Sequence, residues 1–152
     1  MPIVGVISDT HGLLRPEVMK IFRKVDLIVH AGDIGKPEVL EQLKTIAPVV
    51  AVRGNNDNGT WAGAIPEFTR VAIGGISVFL IHDIKEMDAH DSAACGVIIS
   101  GHSHKPSVER RDGVLYLNPG SAGPRRFKLP ISVARLTIKQ SSSTASLIEL
   151  RT

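Results

Sequence analysis

Short apolar strands alternate with proline-started helices in the first half of the chain. Residues 2–8 (PIVGVIS) form a nearly continuous apolar run, and similar runs follow at 27–31 (LIVHA) and 49–52 (VVAV). Helical patterns begin at Pro16 and Pro37 between these runs, and Pro48 ends the second one. Three buried strands separated by helices predict right-handed crossovers and a largely parallel sheet. The fold class is therefore α/β.

The second half of the chain predicts antiparallel pairs that extend this sheet. Gly74-Gly75 and Asp112-Gly113 each stand between two strand-like runs, as in two-residue hairpin turns. The remaining expectations are a surface helix over 85–94, a strand over 97–100 and a closing hairpin of 131–138 and 145–150 around the loop 140–144. We see no repeat and no linker, so we expect one domain over residues 1–152.

Composition excludes sulfur chemistry and leaves histidine chemistry open. The chain has six histidines and a single cysteine, Cys95, which excludes a disulfide framework and any multi-cysteine metal site. Its net charge of +3 does not indicate a nucleic-acid partner. No apolar run approaches the roughly 18 residues of a membrane span, and the first residues do not resemble a signal peptide. We therefore expect a cytoplasmic protein with no membrane contact, and its exposed hairpins are compatible with a homodimer or homotetramer.

Five apolar strands end directly in side chains that bind metals. The clusters that follow them are Asp9-Thr10-His11, Gly32-Asp33, Gly54-Asn55-Asn56-Asp57, His82-Asp83 and Gly101-His102-Ser103-His104. Ligands of open α/β sheets bind beyond the carboxyl ends of the strands, so strands that share a sheet would bring all five clusters to one edge. Asp and Asn are common in turns, but the histidines have no such role, and jointly the clusters indicate a metal site.

The donor types indicate the metal class. Two Asp, one Asn and four His give mixed oxygen and nitrogen coordination, which suits Mn, Fe, Zn, Co or Ni better than Ca. Seven side chains exceed what one ion needs, so two ions that share a carboxylate are the more economical arrangement. Two divalent cations, two carboxylates and a bridging hydroxide leave about one positive charge, which attracts a phosphate for attack by that hydroxide.

The same residues resemble the ordered signature of the calcineurin-like metallophosphoesterases. The matching motifs are Asp9-x-His11, Gly32-Asp33, Gly54-Asn55-x-Asp57, His82 and Gly101-His102-x-His104. The chain length, Asn118-Pro-Gly-Ser121 and Pro124-Arg125 are similar to the small YfcE-type phosphodiesterase branch, to which the retromer's phosphoesterase-like subunit is more distantly related. The resemblance runs from about Pro2 to Arg125.

The resemblance implies the fold, the ligand set and the activity. Its fold is an αββα sandwich of two sheets flanked by helices, of the metallo-dependent phosphatase type. It places one metal on Asp9, His11, Asp33 and His104, and a second on Asp33, Asn55, His82 and His102. The expected cofactors are two divalent ions, with Mn first and Ni, Zn, Fe, Co or Mg as alternatives. The expected function is hydrolysis of small phosphodiesters, and Asn55, Asn56 and His102 are the candidate catalytic residues.

Two positions depart from the family pattern. Many relatives have a histidine, thought to protonate the leaving group, where this chain has Asn56, which cannot act as a general acid near neutral pH. Asp83 stands where a glycine is common. We therefore expect modest activity that favours phosphodiesters with good leaving groups. The alternative is a non-catalytic or weakly active protein-binding scaffold on the same fold. A scaffold of this kind is expected to have lost metal ligands, and here all seven ligand positions are filled.

Other residues have less specific interpretations. His30, inside an apolar run, is expected to be a hydrogen-bonded core residue, and Asp57 either to orient a ligand or to cap the turn. Cys95 is expected to pack in the core, and His90 to lie on a solvated surface. The basic residues at 125, 126 and 128 fit a solvated surface better than a substrate contact. The sequence does not decide whether Trp61 lines the cleft or a subunit contact.

Overall fold

The computed structural model describes residues 1–90 and 93–151, which form two five-stranded sheets and two α-helices. The strands are β1 (Ile3–Ile7), β2 (Leu27–His30), β3 (Val49–Ala51), β4 (Phe68–Ile73), β5 (Ile76–Ile81), β6 (Val97–Ile99), β7 (Ser107–Arg111), β8 (Val114–Asn118), β9 (Ser132–Lys139) and β10 (Ser142–Glu149). The α-helices are α1 (Pro16–Ile21) and α2 (Pro37–Lys44), and 3-10 turns cover Ala62–Ala64 and Ile84–Glu86.

The first sheet has the order β10-β9-β1-β2-β3. Its strands β1, β2 and β3 pair in parallel, as the apolar runs and intervening helices predict. The antiparallel strands β9 and β10 extend the sheet beyond β1. Each helix begins at its predicted proline, where the missing N–H has no intrahelical partner to lose.

The second sheet has the order β4-β5-β6-β8-β7. Strands β5, β6 and β8 pair in parallel, and the hairpins β4–β5 and β7–β8 form its two edges. The sequence alone would suggest that the strands before the five clusters share one sheet. In the structure they belong to two sheets. Strands β1, β2 and β3 belong to the first sheet, and β5 and β6 belong to the second.

The main core lies between the two sheets. Val4, Val6 and Leu136 of the first sheet pack with Leu80 and Ile99 of the second, and all five are fully buried. The helices α1 and α2 cover the outer face of the first sheet.

Within that outer layer, Phe22 leaves no space for a Cβ at Gly5. Burial of this aliphatic surface on both faces of the first sheet is the main stabilising contribution.

Two predicted elements differ from the structure. No α-helix covers residues 85–90, 93 and 94, and residues 91 and 92 of the predicted helix lie outside the described part of the chain. Ile84 and Met87 already cover the outer face of the second sheet, and residues 88–90 carry no large apolar side chain that would hold a helix there. The predicted loop 140–144 is a two-residue turn, because Ser142 and Ser143 pair with β9.

The architecture confirms the α/β two-sheet sandwich that the resemblance implies. Its helical layer is developed on the first sheet, whereas the described residues over the second sheet form only the 3-10 turn. None of the helices in the described ranges combines the length and the apolar character that crossing a membrane requires.

Candidate metal centre

The five clusters meet where the carboxyl ends of strands from both sheets approach each other. The imidazole of His82 in the second sheet donates from Nδ1 to the Ala31 carbonyl of the first, at 2.7 Å. The backbone N–H of His102 donates to Asp9 Oδ2 at 3.1 Å. These two hydrogen bonds join the ends of β5 and β6 to the ends of β2 and β1, so two sheets contribute to one site.

Asp9 lies at the centre of this site with no exposed surface. Its Oδ2 accepts hydrogen bonds from Ser8 Oγ, at 2.7 Å, and from the His102 N–H. Its Oδ1 has no hydrogen-bond partner, although the Nε2 atoms of His11, His82 and His104 lie 3.9, 3.9 and 3.4 Å away. Burial alone would raise the pKa of Asp9, but the neighbouring imidazoles and the Ser8 hydroxyl hold it below its usual value.

Asp33 is the second buried carboxylate. Its Oδ2 lies 3.3 Å from His82 Nε2 and 3.8 Å from His11 Nε2, so it faces the histidines of both implied metal sites. Asn56 donates its backbone N–H to Asp33 Oδ1 and its side-chain amide to Oδ2, at 2.9 and 3.1 Å. Burial would raise the pKa of Asp33, but the contacts with His82 and Asn56 outweigh it and hold that pKa well below the usual range.

The orientation of His82 leaves Nε2 directed at the two carboxylates. Its Nδ1 is occupied by the Ala31 carbonyl, an arrangement that fixes the ring and its tautomer. Burial would lower the pKa of His82, but the hydrogen bond to Asp33 and the charge of Asp9 raise it above its usual value. The same Nε2 lies 3.3 Å from His102 Nδ1, which brings a further imidazole to this side of the site.

The residues fit divalent metal ions. Donor atoms that bind one ion at about 2.0–2.2 Å lie about 3 Å or slightly more from one another. Asp9, His11 and His104 form one compatible group of donor atoms, and Asp9, Asp33 and His82 form another. Asp9 Oδ1 is buried and faces three imidazole nitrogens without a hydrogen bond, which is unfavourable for a charged oxygen. A bound cation would stabilise it.

Five of the seven candidate ligands have left-handed backbone conformations. Their φ angles are 56° for Asp9, 48° for His11, 55° for Asp33, 71° for His102 and 64° for His104. Side-chain-bearing residues rarely adopt this region, which costs about 1–2 kcal/mol, and such strain concentrates at functional sites. The sequence shows no sign of it, because nothing in an Asp-x-His motif specifies a positive φ.

The glycines before two clusters allow a close approach of the backbone to the ligands. A Cβ on Gly54 would overlap Asp33 Oδ1, and a Cβ on Gly101 would overlap Ser8 Oγ and lie 2.8 Å from Asp9 Oδ2. Glycine suits these two positions because the backbone approaches another group too closely for a side chain.

A cavity of about 440 Å³ opens beside the second group of candidate ligands. It is lined by Arg53, Gly54, Asn55, Glu67, Ile81, His82, Asp83, Glu86 and His102. The side chain of His102 is 45% exposed, so it is accessible from this cavity. Of the candidate catalytic residues, Asn55 and His102 line the cavity, whereas the Asn56 amide is bound to Asp33.

Several supporting residues are clear only from the structure. The Ser8 hydroxyl binds Asp9 Oδ2, and the Ser121 hydroxyl donates to the Asp9 carbonyl at 3.1 Å. Thr10 bridges the buried ring of His30 to the Ile34 carbonyl. Ser8 and Thr10 adjoin Asp9 in the sequence, which is the only signal that could have indicated them.

Other sequence expectations also have structural outcomes. His30 is fully buried and hydrogen-bonded, which confirms the expectation for this residue. Asp57 accepts the backbone N–H of Gly54 in its own turn and those of Ile34 and Gly35 after Asp33, so it caps the turn and joins the two loops. Cys95 packs with Phe79 and Ile98 in the core, as predicted. Trp61 lines a groove beside α2 that is separate from the cavity at the candidate centre.

Comparison with known proteins agrees with this geometry. The family model described as the calcineurin-like phosphoesterase superfamily domain matches residues 3–141. A probable metallophosphoesterase of Methanothermobacter thermautotrophicus is 37% identical over an alignment 159 residues long, gaps included. The alignment covers 96% of this chain and 91% of that protein. A phosphodiesterase of Methanocaldococcus jannaschii is 32% identical over 138 residues, which cover 77% of this chain and 82% of that protein.

The fold has solved counterparts. The structure of vacuolar protein sorting 29 from Cryptosporidium parvum aligns with a TM-score of 0.77 at 21% identity, and the alignment covers 99% of this chain and 98% of that one. At this identity the likeness shows the shared fold. The family match, which includes all the candidate ligands, confirms the resemblance seen in the sequence. The chain therefore belongs to the calcineurin-like phosphoesterase superfamily of metal-dependent phosphoester hydrolases.

Proposed function

We propose that this protein is a phosphodiesterase that uses two divalent metal ions. The observation that carries the proposal is the environment of Asp9. Its Oδ1 is buried and lacks a hydrogen bond, yet it faces Nε2 of His11, His82 and His104 at 3.4–3.9 Å. A family match over residues 3–141 and a relative named phosphodiesterase at 32% identity support the same conclusion.

The first ion is assigned to Asp9, His11, Asp33 and His104. The short distances of the His104 and His11 rings to Asp9, and of His11 to Asp33, support this assignment. The mixed oxygen and nitrogen donors suit Mn, with Ni, Zn, Fe, Co or Mg as alternatives.

The second ion is assigned to Asp33, Asn55, His82 and His102. Asp33 Oδ2 lies 3.8 Å from His11 Nε2 and 3.3 Å from His82 Nε2, which supports its assignment as the carboxylate shared by both ions. The close approach of His102 Nδ1 to His82 Nε2 and the place of Asn55 on the same cavity wall support the remaining two ligands.

The reaction we propose is direct attack of hydroxide on phosphorus, which forms one P–O bond while the P–O bond to the leaving alkoxide or aryloxide breaks. When bound, the two ions supply positive charge and the hydroxide nucleophile. The amide of Asn55 donates a hydrogen bond to a phosphoryl oxygen, and His102 borders the cavity in which the substrate lies. The Asn56 backbone N–H and side chain hold Asp33 in place. No side chain forms a covalent bond with phosphorus.

The leaving group sets the substrate preference in this proposal. Asn56 cannot donate a proton to an alkoxide as a histidine would. Phosphodiesters with good leaving groups, such as aryl esters, are therefore better substrates than alkyl phosphomonoesters. The physiological substrate is a small phosphate ester that fits the 440 Å³ cavity.

The test is hydrolysis of bis-p-nitrophenyl phosphate with Mn, Ni, Zn and Mg in parallel. We expect metal-dependent turnover that His82→Ala reduces by at least about 100-fold, since loss of metal support typically costs 10–100-fold or more. His90→Ala, which removes an exposed histidine outside the site, is the matched control. Oxygen-18 from water should appear in the phosphate product. Faster hydrolysis of an alkyl phosphomonoester would contradict the diester assignment.

The second candidate is a protein-binding scaffold with little or no activity. The observation that favours it is Asn56, because the proton-donor position is empty. The seven filled ligand positions favour the enzyme. A purified protein that contains no metal, hydrolyses none of the esters and binds a protein partner tightly would reverse this order.

The remaining sequence predictions belong to the same proposal. They are a single domain over residues 1–152, a cytoplasmic location and a homodimer or homotetramer. Size-exclusion chromatography with light scattering determines the oligomeric state directly.

A further inference from the structure

The cavity beside the candidate metal centre has an acidic wall. Besides the candidate ligands, its charged lining residues are Arg53, Glu67, Asp83 and Glu86. Arg53 Nη2 lies 3.0 Å from Glu67 Oε1, so the single cation of the lining is paired with one of the acids. Arg53 therefore does not neutralise the negative charge that Asp83 and Glu86 contribute to the cavity wall.

The side chain of Asp83 is held close to the candidate ligands. Its Oδ1 accepts the Lys85 backbone N–H at 3.1 Å, at the start of the 3-10 turn. Its Oδ2 lies 3.8 Å from His102 Nε2, and the side chain is 23% exposed. The turn thus holds one oxygen while the other faces a residue that lines the cavity.

We propose that Asp83, assisted by Glu86, selects phosphodiesters over phosphomonoesters by charge. A phosphomonoester carries about −1.5 to −2 charges near neutral pH, whereas a diester carries one. Because Coulomb repulsion is proportional to charge, a fixed carboxylate on the cavity wall costs the monoester up to twice as much as the diester. The partly enclosed position of Asp83 reduces solvent screening of this difference.

This inference rests on the proposed function and adds a second basis for specificity. Asn56 affects the departure of the leaving group. Asp83 acts on the charge of the oxygens that remain with phosphorus, and its effect is the same for any leaving group. Substrates that share one leaving group therefore separate the two effects.

The experiment compares p-nitrophenyl phosphate with methyl p-nitrophenyl phosphate on the Mn-loaded protein. For Asp83→Asn, we expect the monoester-to-diester ratio of kcat/KM to rise about 5–20-fold, mainly through a lower KM for the monoester. Asn retains the oxygen that accepts the Lys85 N–H, so the turn is preserved. Asp83→Glu retains the charge, and its ratio should stay within about twofold of the original. High salt should reduce the effect of Asp83→Asn.

Binding supplies a readout that does not depend on turnover. By calorimetry, Asp83→Asn should bind inorganic phosphate more tightly, and dimethyl phosphate should gain about half as much binding free energy because it carries about half the charge. Glu86→Gln should shift the same ratios in the same direction by a smaller factor. Glu41→Gln, which removes an exposed acid on α2 that does not line the cavity, should shift none of them.

Three outcomes would overturn the inference. An unchanged ratio in an Asp83→Asn protein with full metal content shows that charge at Asp83 does not select the substrate. Loss of metal from Asp83→Asn, measured by mass spectrometry, shows that Asp83 instead orients His102. Absence of turnover of both esters by the original protein with Mn, Ni, Zn and Mg refutes the proposed function itself, and this inference with it.

Discussion

His30 is a buried polar residue that connects two of the loops carrying candidate ligands. Its Nδ1 accepts the Gly32 N–H at 3.1 Å, so the ring proton is on Nε2 and is donated to Thr10 Oγ1 at 3.0 Å. The Thr10 hydroxyl in turn donates to the Ile34 carbonyl at 2.8 Å. This arrangement requires a neutral ring, and burial lowers the pKa of His30 to about 4.

The low pKa of His30 predicts a loss of stability in acid. Between its unfolded pKa of 6.5 and its folded value of about 4, the unfolded chain binds a proton that the folded one does not. The unfolding free energy therefore decreases as the pH is lowered below about 6.5. The loss is about 2 kcal/mol between pH 7.5 and pH 5. His30→Gln, which keeps an amide donor for Thr10, should remove that part of the slope.

Urea unfolding of both proteins at several pH values measures this difference. The slope of the unfolding free energy against pH is measured for both proteins. The difference between the two slopes no longer contains the contributions of Asp9, Asp33 and His82. Equal slopes would show that the pKa of His30 does not differ between the folded and the unfolded protein.

Asp57 shows how one carboxylate connects two loops of the site. It accepts the backbone N–H groups of Gly54, Ile34 and Gly35 at 2.9, 3.1 and 2.9 Å. Asp57→Ala leaves two buried donors and one partly buried donor without partners and should lower the unfolding free energy by about 3–4 kcal/mol. Asp57→Asn, which keeps one acceptor oxygen, should cost less. Denaturant titration measures both, and a cost below about 1 kcal/mol for Asp57→Ala would contradict the assigned role.

At the scale of elements, the turn between β9 and β10 has an unfavourable sequence for its geometry. Gln140 and Ser141 have φ angles of 51° and 65°, as in the two-residue hairpin turns that favour Asn-Gly. The double substitution Gln140→Asn, Ser141→Gly should raise the unfolding free energy by about 0.5–1 kcal/mol. Thermal unfolding measures the gain. The reference is the β7–β8 turn, where Asp112-Gly113 already suits this geometry and Asp112→Asn should change little.

The elements that sequence reasoning identified correctly have strong local signals. Apolar runs mark β1, β2 and β3, and prolines mark the starts of α1 and α2. The polar segment 85–94 and the serines at 141–143 carry weak signals, and there the outcome depends on tertiary contacts. Ser142 and Ser143 belong to a strand because β9 provides hydrogen-bond partners along its whole length.

At the scale of the whole molecule, the candidate centre connects the two sheets. Asp9, His11 and Asp33 follow strands of the first sheet, and His82, His102 and His104 follow strands of the second. Metal binding is therefore expected to stabilise the packing of one sheet on the other. At metal concentrations of 100–1,000 Kd each bound ion adds about 3–4 kcal/mol, which corresponds to a Tm increase of about 10 °C per ion.

Thermal unfolding with Mn and with excess EDTA tests this expectation. The Tm difference should be largely lost in His82→Ala and retained in His90→Ala. An equal Tm with and without metal would contradict the assignment of the ligands to both sheets.

The sequence by itself determined which side chains form the candidate site and most of the strands that carry them. Ligand types and their positions after apolar runs are local properties, so one sequence was enough to recognise the pattern and the family. Only the tertiary structure showed that the clusters come from two sheets, that five candidate ligands have positive φ angles, and that Asp83 faces His102. These features depend on which strands pair and pack, and the free energy of that choice comes from contacts between residues far apart in the chain.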